Sequence, residues 1–133
     1  MYLINDNQSF KLLDIDSQNK IIKFINNILR KKQDSIVFYG TGKNGKTTLI
    51  NLIKQFFDLC CYEYKTIYNP NDMEKNLLIT HDDYLHKLTK NEFYELLTNK
   101  SIIIETNDIK YFNHIEEDND GILNKLIVFE NVF

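Results

Sequence analysis

The chain has 133 residues, 43% hydrophobic and 26% charged, with a formal net charge of −3, which leaves room for one domain and excludes both a disordered chain and a second catalytic domain. A negative balance gives the protein no overall field that attracts nucleic acid, so any such contact must be local or created by assembly. No run of about 18 apolar residues occurs, and the opening "MYLINDNQSF" lacks the basic flank and long apolar centre of a secretion signal, so the expectation is a cytoplasmic protein with no membrane association.

In chain order, residues 1–33 read as a helical extension ahead of a core at 35–133. Its "SQNKIIKFINNILRKK" (17–32) carries apolar side chains at Ile21, Ile25, Ile28 and Leu29, with Ile22 and Phe24 beside them and Ser17 as the expected N-cap. Arg30, Lys31 and Lys32 in the last turn suit the negative end of the helix dipole, and Arg30 is the chain's only arginine.

"SIVFYG" (35–40) reads as a buried strand running into glycines, and "KTTLINLIKQFF" (46–57) as a helix with Leu49, Ile53 and Phe56 on its apolar face. "CYEYKTIYN" (61–69) is a second expected strand, followed by a turn around the only proline. "NLLIT" (76–80) is a third. "TKNEFYELLTNK" (89–100) has Thr89 and Glu92 in capping-box spacing and is an expected helix. "SIIIETN" (101–107) and "KLIVFENVF" (125–133) complete five strands, and "EEDNDG" (116–121) reads as a surface loop.

Strands alternating with helices imply an α/β fold with a mainly parallel sheet, whose ligands gather at the carboxyl ends of the strands. Three segments fall at such ends: 40–47, Asp82 with Asp83, and Asn107. The only cysteines, Cys60 and Cys61, are adjacent, match no zinc spacing and are expected to be buried apolar residues. His81, His86 and His114 lack metal-ligand spacing and read as surface or packing residues.

The stretch Gly40-Thr41-Gly42-Lys43-Asn44-Gly45-Lys46-Thr47 fits G-x-x-x-x-G-K-[ST] between a strand and a helix. Glycines let successive backbone N–H groups turn inward around phosphates, and the following helix presents its positive end to the same anion. Lys46 is placed to reach the β- and γ-phosphates and Thr47 to ligate Mg²⁺, with Thr48 beside them in the nucleotide-binding segment. The core is not expected to need the Lys46 charge.

A hydrolase also needs one carboxylate for the Mg²⁺ shell and another to orient water. Asp82 is assigned to the metal and Asp83 to the water, with the reverse order open, as is a simple capping role for the pair. Glu105, which ends an apolar run, is a competing position for the acid.

With these segments in order, the chain resembles the ATPase domain of superfamily 3 helicases, in particular the primase-helicases of large DNA viruses, phages and plasmids. Gly40, Gly42, Asn44, Gly45, Lys46 and Thr47 match the family's G-x-G-x-N-G-K-[ST] loop, Asp82-Asp83 its acidic strand end, and "IIIETN" its sensor strand, with Asn107 as the polar sensor. The resemblance spans about residues 35–133. It implies a three-layer AAA+-like P-loop NTPase fold, ATP and Mg²⁺ as cofactors, and a role in DNA replication at a viral site or in the host cytoplasm. A homo-oligomeric ring or a larger replication protein is the implied partner, and single-stranded DNA the implied track. Where the family carries an arginine pair that reaches a neighbouring subunit, this chain has Asn124-Lys125, which makes Lys125 the catalytic cation by position. The interval between the acidic pair and the sensor strand is shorter than in the family and has no visible DNA-gripping hairpin.

Two other functions compete. A small nucleotide or nucleoside kinase shares the phosphate loop but needs an arginine-bearing lid, against which one arginine counts. A non-catalytic module could instead use nucleotide occupancy to control assembly.

Overall fold

Near-continuous apolar runs mark strands covered on both faces, and three of them form the centre of the protein: β1 (Ser35–Tyr39), β3 (Leu77–His81) and β4 (Ser101–Thr106). The computed structural model describes residues 2–40, 45–66, 76–85, 88–107 and 125–129, without the side chains of Tyr2, Leu3, Asp82 and Lys90. Two shorter strands, β2 (Lys65–Thr66) and β5 (Leu126–Val128), complete a five-stranded sheet in the order β2-β3-β4-β1-β5. Every pairing is parallel, with Tyr39 opposite Thr106 and His81 opposite Glu105. The fold is therefore the expected α/β class.

Six helices are described: α1 (Tyr2–Asn5), α2 (Gln8–Lys11), α3 (Ile15–Leu29), α4 (Lys46–Leu59), α5 (Asp82–Leu85) and α6 (Lys90–Asn99). Because side chains alternate along a strand, Ile36 and Phe38 face one layer and Val37 the other. On the first face they pack with α3 residues Ile21, Phe24, Ile25 and Ile28 and α4 residues Leu49, Ile50, Ile53 and Phe57. On the second, Val37, Leu78, Ile102 and Ile104 pack with Leu85, Phe93, Leu96 and Leu97 of α5 and α6. The result is three layers, helix–sheet–helix, with Phe38 and Phe129 meeting edge to face at 5.5 Å.

Several boundaries differ from expectation for local reasons. The N-cap of α3 is Asp14, whose carboxylate accepts from the Ser17 N–H at 2.9 Å, so the helix begins before Ser17. That capping interaction, through the side chain and then the backbone of Ser17, holds the Asp14 carboxyl below its ordinary range. In α4 the fully buried aromatic is Phe57, with Phe56 only partly covered. Cys60 and Cys61 are exposed rather than buried. α4 ends at Leu59, and a tight turn in which Cys61 adopts a positive φ of 55° returns the Tyr62 N–H to the Phe57 carbonyl at 2.9 Å.

The Thr89–Glu92 capping box is formed in both directions. The predicted strand at 61–69 is reduced to Lys65–Thr66 within the described residues, while the proline turn, the acidic loop 116–121, His86, His114 and residues 130–133 lie outside them. No described helix is long and apolar enough to cross a membrane.

Candidate nucleotide-phosphate site

Parallel strands bring Gly40, Asp82 and Asn107 to one edge of the sheet, because each directly follows the carboxyl end of β1, β3 or β4. The Gly40 N–H donates to the Thr106 carbonyl at 3.2 Å, closing β1 against β4 where the loop departs. Gly45 precedes α4 with a φ of 83°, the left-handed region glycine enters without strain. Thr41, Gly42, Lys43 and Asn44 lie outside the described residues. The strand and helix demanded by a phosphate loop stand on either side of them.

Lys46 turns back toward the ends of β1 and β4. Its ammonium donates to the Gly40 carbonyl at 2.7 Å, the Thr106 carbonyl at 3.3 Å and the Asn107 Oδ1 at 2.6 Å, and the residue is only 4% exposed. A buried ammonium needs such acceptors. The expectation that the fold does not need this charge is therefore corrected, since Lys46 ties the ends of β1 and β4 together. With Oδ1 facing Lys46, the Asn107 amide presents its N–H₂ as a donor.

Thr47, the next residue and exposed, donates from Oγ1 to the Glu105 Oε1 at 2.9 Å. Thr48 is also exposed on the first turn of α4. Glu105 lies on β4, the direct neighbour of β1, whereas β3 is one strand farther away. At about 4.8 Å per strand spacing, the origin of Asp82 and Asp83 is displaced by about 10 Å from β1. The Asp82 side chain is outside the described set. Asp83 is 78% exposed and leans back on His81, whose Nδ1 accepts the Asp83 N–H at 3.3 Å and lies 3.4 Å from its carboxylate.

Lys125 lies elsewhere. Its ammonium pairs with the buried Asp34 carboxylate at 2.8 Å, beside the start of β1 and six residues from Gly40, about 20 Å along a strand. It neutralises Asp34 rather than facing the phosphate loop of its own chain. Asn124 is outside the described residues. Arg30 caps the C-terminus of α3, ahead of β1, and is likewise at the opposite end of the sheet from Gly40.

Sequence reasoning missed the contact between the N-terminal helices and the loop. Ser9 on α2 is packed so closely on Gly45 that a β-carbon there would fall 1.8 Å from the Ser9 Oγ. Ser9 also opens onto a cleft of about 530 Å³ lined by Leu13, Ser17, Val128 and Phe129 among others. Nothing in the spacing of "NDNQSF" signals this approach. Among the described residues, no group of three or more His, Cys, Asp or Glu is arranged to hold a metal ion by itself.

No family model matches the chain, and no curated protein sequence does. Among solved structures, the chain is similar to the P-loop NTPase domain of the sigma-54 transport activator from E. coli, at 12% identity and a TM-score of 0.47, over 86% of this chain and 97% of that one.

Proposed function

We propose that this chain binds MgATP and hydrolyses it, as a minimal relative of the superfamily 3 helicases acting in viral, phage or plasmid DNA replication. The observation that carries the reading is the convergence of Gly40, Thr106 and Asn107 on the Lys46 ammonium at the mouth of the glycine loop. Three neutral acceptors hold a buried cation where the oxygens of a β- and γ-phosphate would replace them.

Residues 40–47 would wrap the triphosphate tail, with Lys46 between its last two phosphates and the positive end of α4 directed at the same charge. The nucleoside would leave the loop past Ser9 into the cleft beside β5. Magnesium, when bound, neutralises the developing charge on the phosphate oxygens. Asp83, exposed at the same edge of the sheet, would accept a hydrogen bond from the attacking water, and the Asn107 N–H₂ would donate to the γ-phosphate. The water oxygen would bond to the γ-phosphorus as its proton passes toward Asp83, the bond to the β–γ bridging oxygen would break, and ADP, phosphate and that proton would leave.

A second reading is supported by the placement of Lys125 and Arg30 away from this edge. A site whose only described buried cation is Lys46 would turn over slowly without a cation from a neighbouring subunit or replication partner. Nucleotide occupancy would then serve assembly. The same placement weighs against a nucleotide or nucleoside kinase, which needs arginines over the phosphates.

Phosphate release and light scattering, recorded together with and without ATP and single-stranded DNA, test the reading. DNA-stimulated turnover by an assembled species supports the helicase-like ATPase. Tight ATP binding with negligible turnover supports the assembly module. Absence of nucleotide binding sinks both.

A further inference from the structure

We propose that the cleft at the amino ends of the strands is a second binding site, for a small molecule carrying a phosphate monoester. The cleft, of about 710 Å³, lies where α3, α4 and α6 end and β1, β3 and β4 begin, and its lining includes Lys31, Lys32, Cys61, Asn76 and Asn99. The length of β1, about 17 Å, separates it from Gly40. The proposal therefore stands apart from the phosphate-loop reading.

Backbone conformation carries the inference. α3 and α4 end in the same way: the Lys31 and Lys32 N–H groups return to the Ile28 and Asn27 carbonyls at 2.9 and 2.8 Å, and those of Cys61 and Tyr62 to Asp58 and Phe57 at 3.1 and 2.9 Å. Such a turn sets one residue in the left-handed region, where glycine is favoured. Here those residues are Lys31, with a φ of 61°, and Cys61, with a φ of 55°. They are the only described residues other than glycine with a positive φ, and both line this cleft. Asparagine, which tolerates the left-handed region better than most residues, is abundant in the chain but stands at neither position. Charge at a helix end does not account for Lys31 either, because Arg30 and Lys32 supply it without a left-handed backbone. The strain is retained for the side chains themselves.

The lining selects the ligand. Two successive ammonium groups, on Lys31 and Lys32, match a phosphate monoester, which carries about −1.5 to −2 charges at neutral pH, better than a carboxylate with one. The Asn76 and Asn99 amides can donate to and accept from hydroxyls of the attached group, and the volume suits a molecule of sugar-phosphate size. Glu63, the one carboxylate among the described lining residues, leaves an excess of cations too small for a polyanion such as single-stranded nucleic acid.

Cys61 gives the test a local readout, since Cys60 beside it is also exposed but does not line the cleft. The experiment is the alkylation rate of each thiol by iodoacetamide, followed by tandem mass spectrometry in a phosphate-free buffer of fixed ionic strength. Ribose 5-phosphate, ribose or gluconate is added at millimolar concentration to the parent chain and to Lys31→Gly. Ribose 5-phosphate should slow Cys61 by about fivefold or more and leave Cys60 unchanged, while ribose and gluconate protect neither. Lys31→Gly relieves the left-handed strain, so its melting temperature should rise by about 2–4 °C even as protection of Cys61 is lost. An unfolded variant cannot mimic that pair of results. Absence of Cys61 protection in the parent, equal slowing of both thiols or equal protection by gluconate overturns the proposal. So does retained protection in Lys31→Gly, or a variant that melts no higher than the parent.

Discussion

The Lys46 ammonium lies 2.6 Å from the side-chain oxygen of Asn107, across 61 positions of sequence. The contact joins the residue after the glycine loop to the residue after β4, and the amide is held with its oxygen inward. That orientation leaves the N–H₂ as a donor toward a γ-phosphate or an attacking water. Asn107→Ala removes a donor from the reacting end and should lower kcat by about 10²–10³. MgATP affinity should change only a few-fold, because Lys46 retains the Gly40 and Thr106 carbonyls. Single-turnover phosphate release alongside nucleotide titration separates the two effects, and unchanged turnover would remove Asn107 from the reaction.

Lys46→Ala should do more than abolish nucleotide binding. It removes the donor to the Gly40 carbonyl and the Asn107 amide oxygen, while the Thr106 carbonyl keeps the Gly40 N–H, at a stability cost of about 1–3 kcal/mol. Chemical denaturation in the absence of nucleotide measures that cost. A variant as stable as the parent would show that the ammonium is not a tie between β1 and β4.

Lys125 and Asp34 form a second tie, at the other end of β1. Asp34 also accepts from Asn27 at 3.0 Å and from the Ser35 N–H at 2.8 Å, so Lys125→Met leaves a buried carboxylate with two donors remaining. The expected loss is about 1–2 kcal/mol, discounted because the Lys125 side chain is 37% exposed. If Lys125 acts only through this pair, ATP turnover per folded molecule should be unchanged. A large fall in turnover without loss of stability would instead return it to a role at a neighbouring subunit's site.

What was legible in the sequence followed from short-range constraints. The strand before Gly40, the helix after Gly45, the polar Asn107 ending an apolar run and the Thr89–Glu92 capping box each express a local requirement that the described residues meet, while residues 41–44 of the glycine loop lie outside them. What was not legible depended on strand order. Nothing local says that β4 lies between β1 and β3, so the contact of Glu105 with Thr47 is not legible from the apolar run that Glu105 ends. The place of Lys125 along the chain likewise does not reveal that the parallel pairing of β5 with β1 puts it beside Asp34 of its own chain. Cys60 and Cys61 are exposed because α4 ends at Leu59, a boundary that composition does not report.

Gly45 combines two constraints that no other residue meets. Its φ of 83° disfavours any β-carbon, and Ser9 occupies the space where one would go. Gly45→Ala should cost about 1–2 kcal/mol from the backbone alone, with a further loss from displacing α2, and should weaken nucleotide binding by opening the loop. Adding Ser9→Gly should recover the steric part and not the conformational part. Thermal unfolding of the single and double variants checks this, and equal stabilities for the two would show that the Ser9 contact carries no energetic weight.

The helix caps should contribute to the acid sensitivity of the fold. The Asp14 carboxyl is held low by Ser17, and the Glu92 carboxyl by the backbone and then the side chain of Thr89. A carboxyl whose folded pKa lies below its unfolded one binds fewer protons in the folded state at intermediate pH, so unfolding takes up protons there. The stabilisation is complete above the unfolded value, about 4 for these residues, and disappears as the pH falls through the folded values. Asp14→Asn and Glu92→Gln keep an oxygen acceptor at each cap but cannot titrate. In the double variant the melting temperature should fall less steeply than in the parent between about pH 5 and 3, with the two curves drawing together at the acid end. Parallel curves over that interval would mean that the capping carboxylates contribute nothing to the acid sensitivity of the fold.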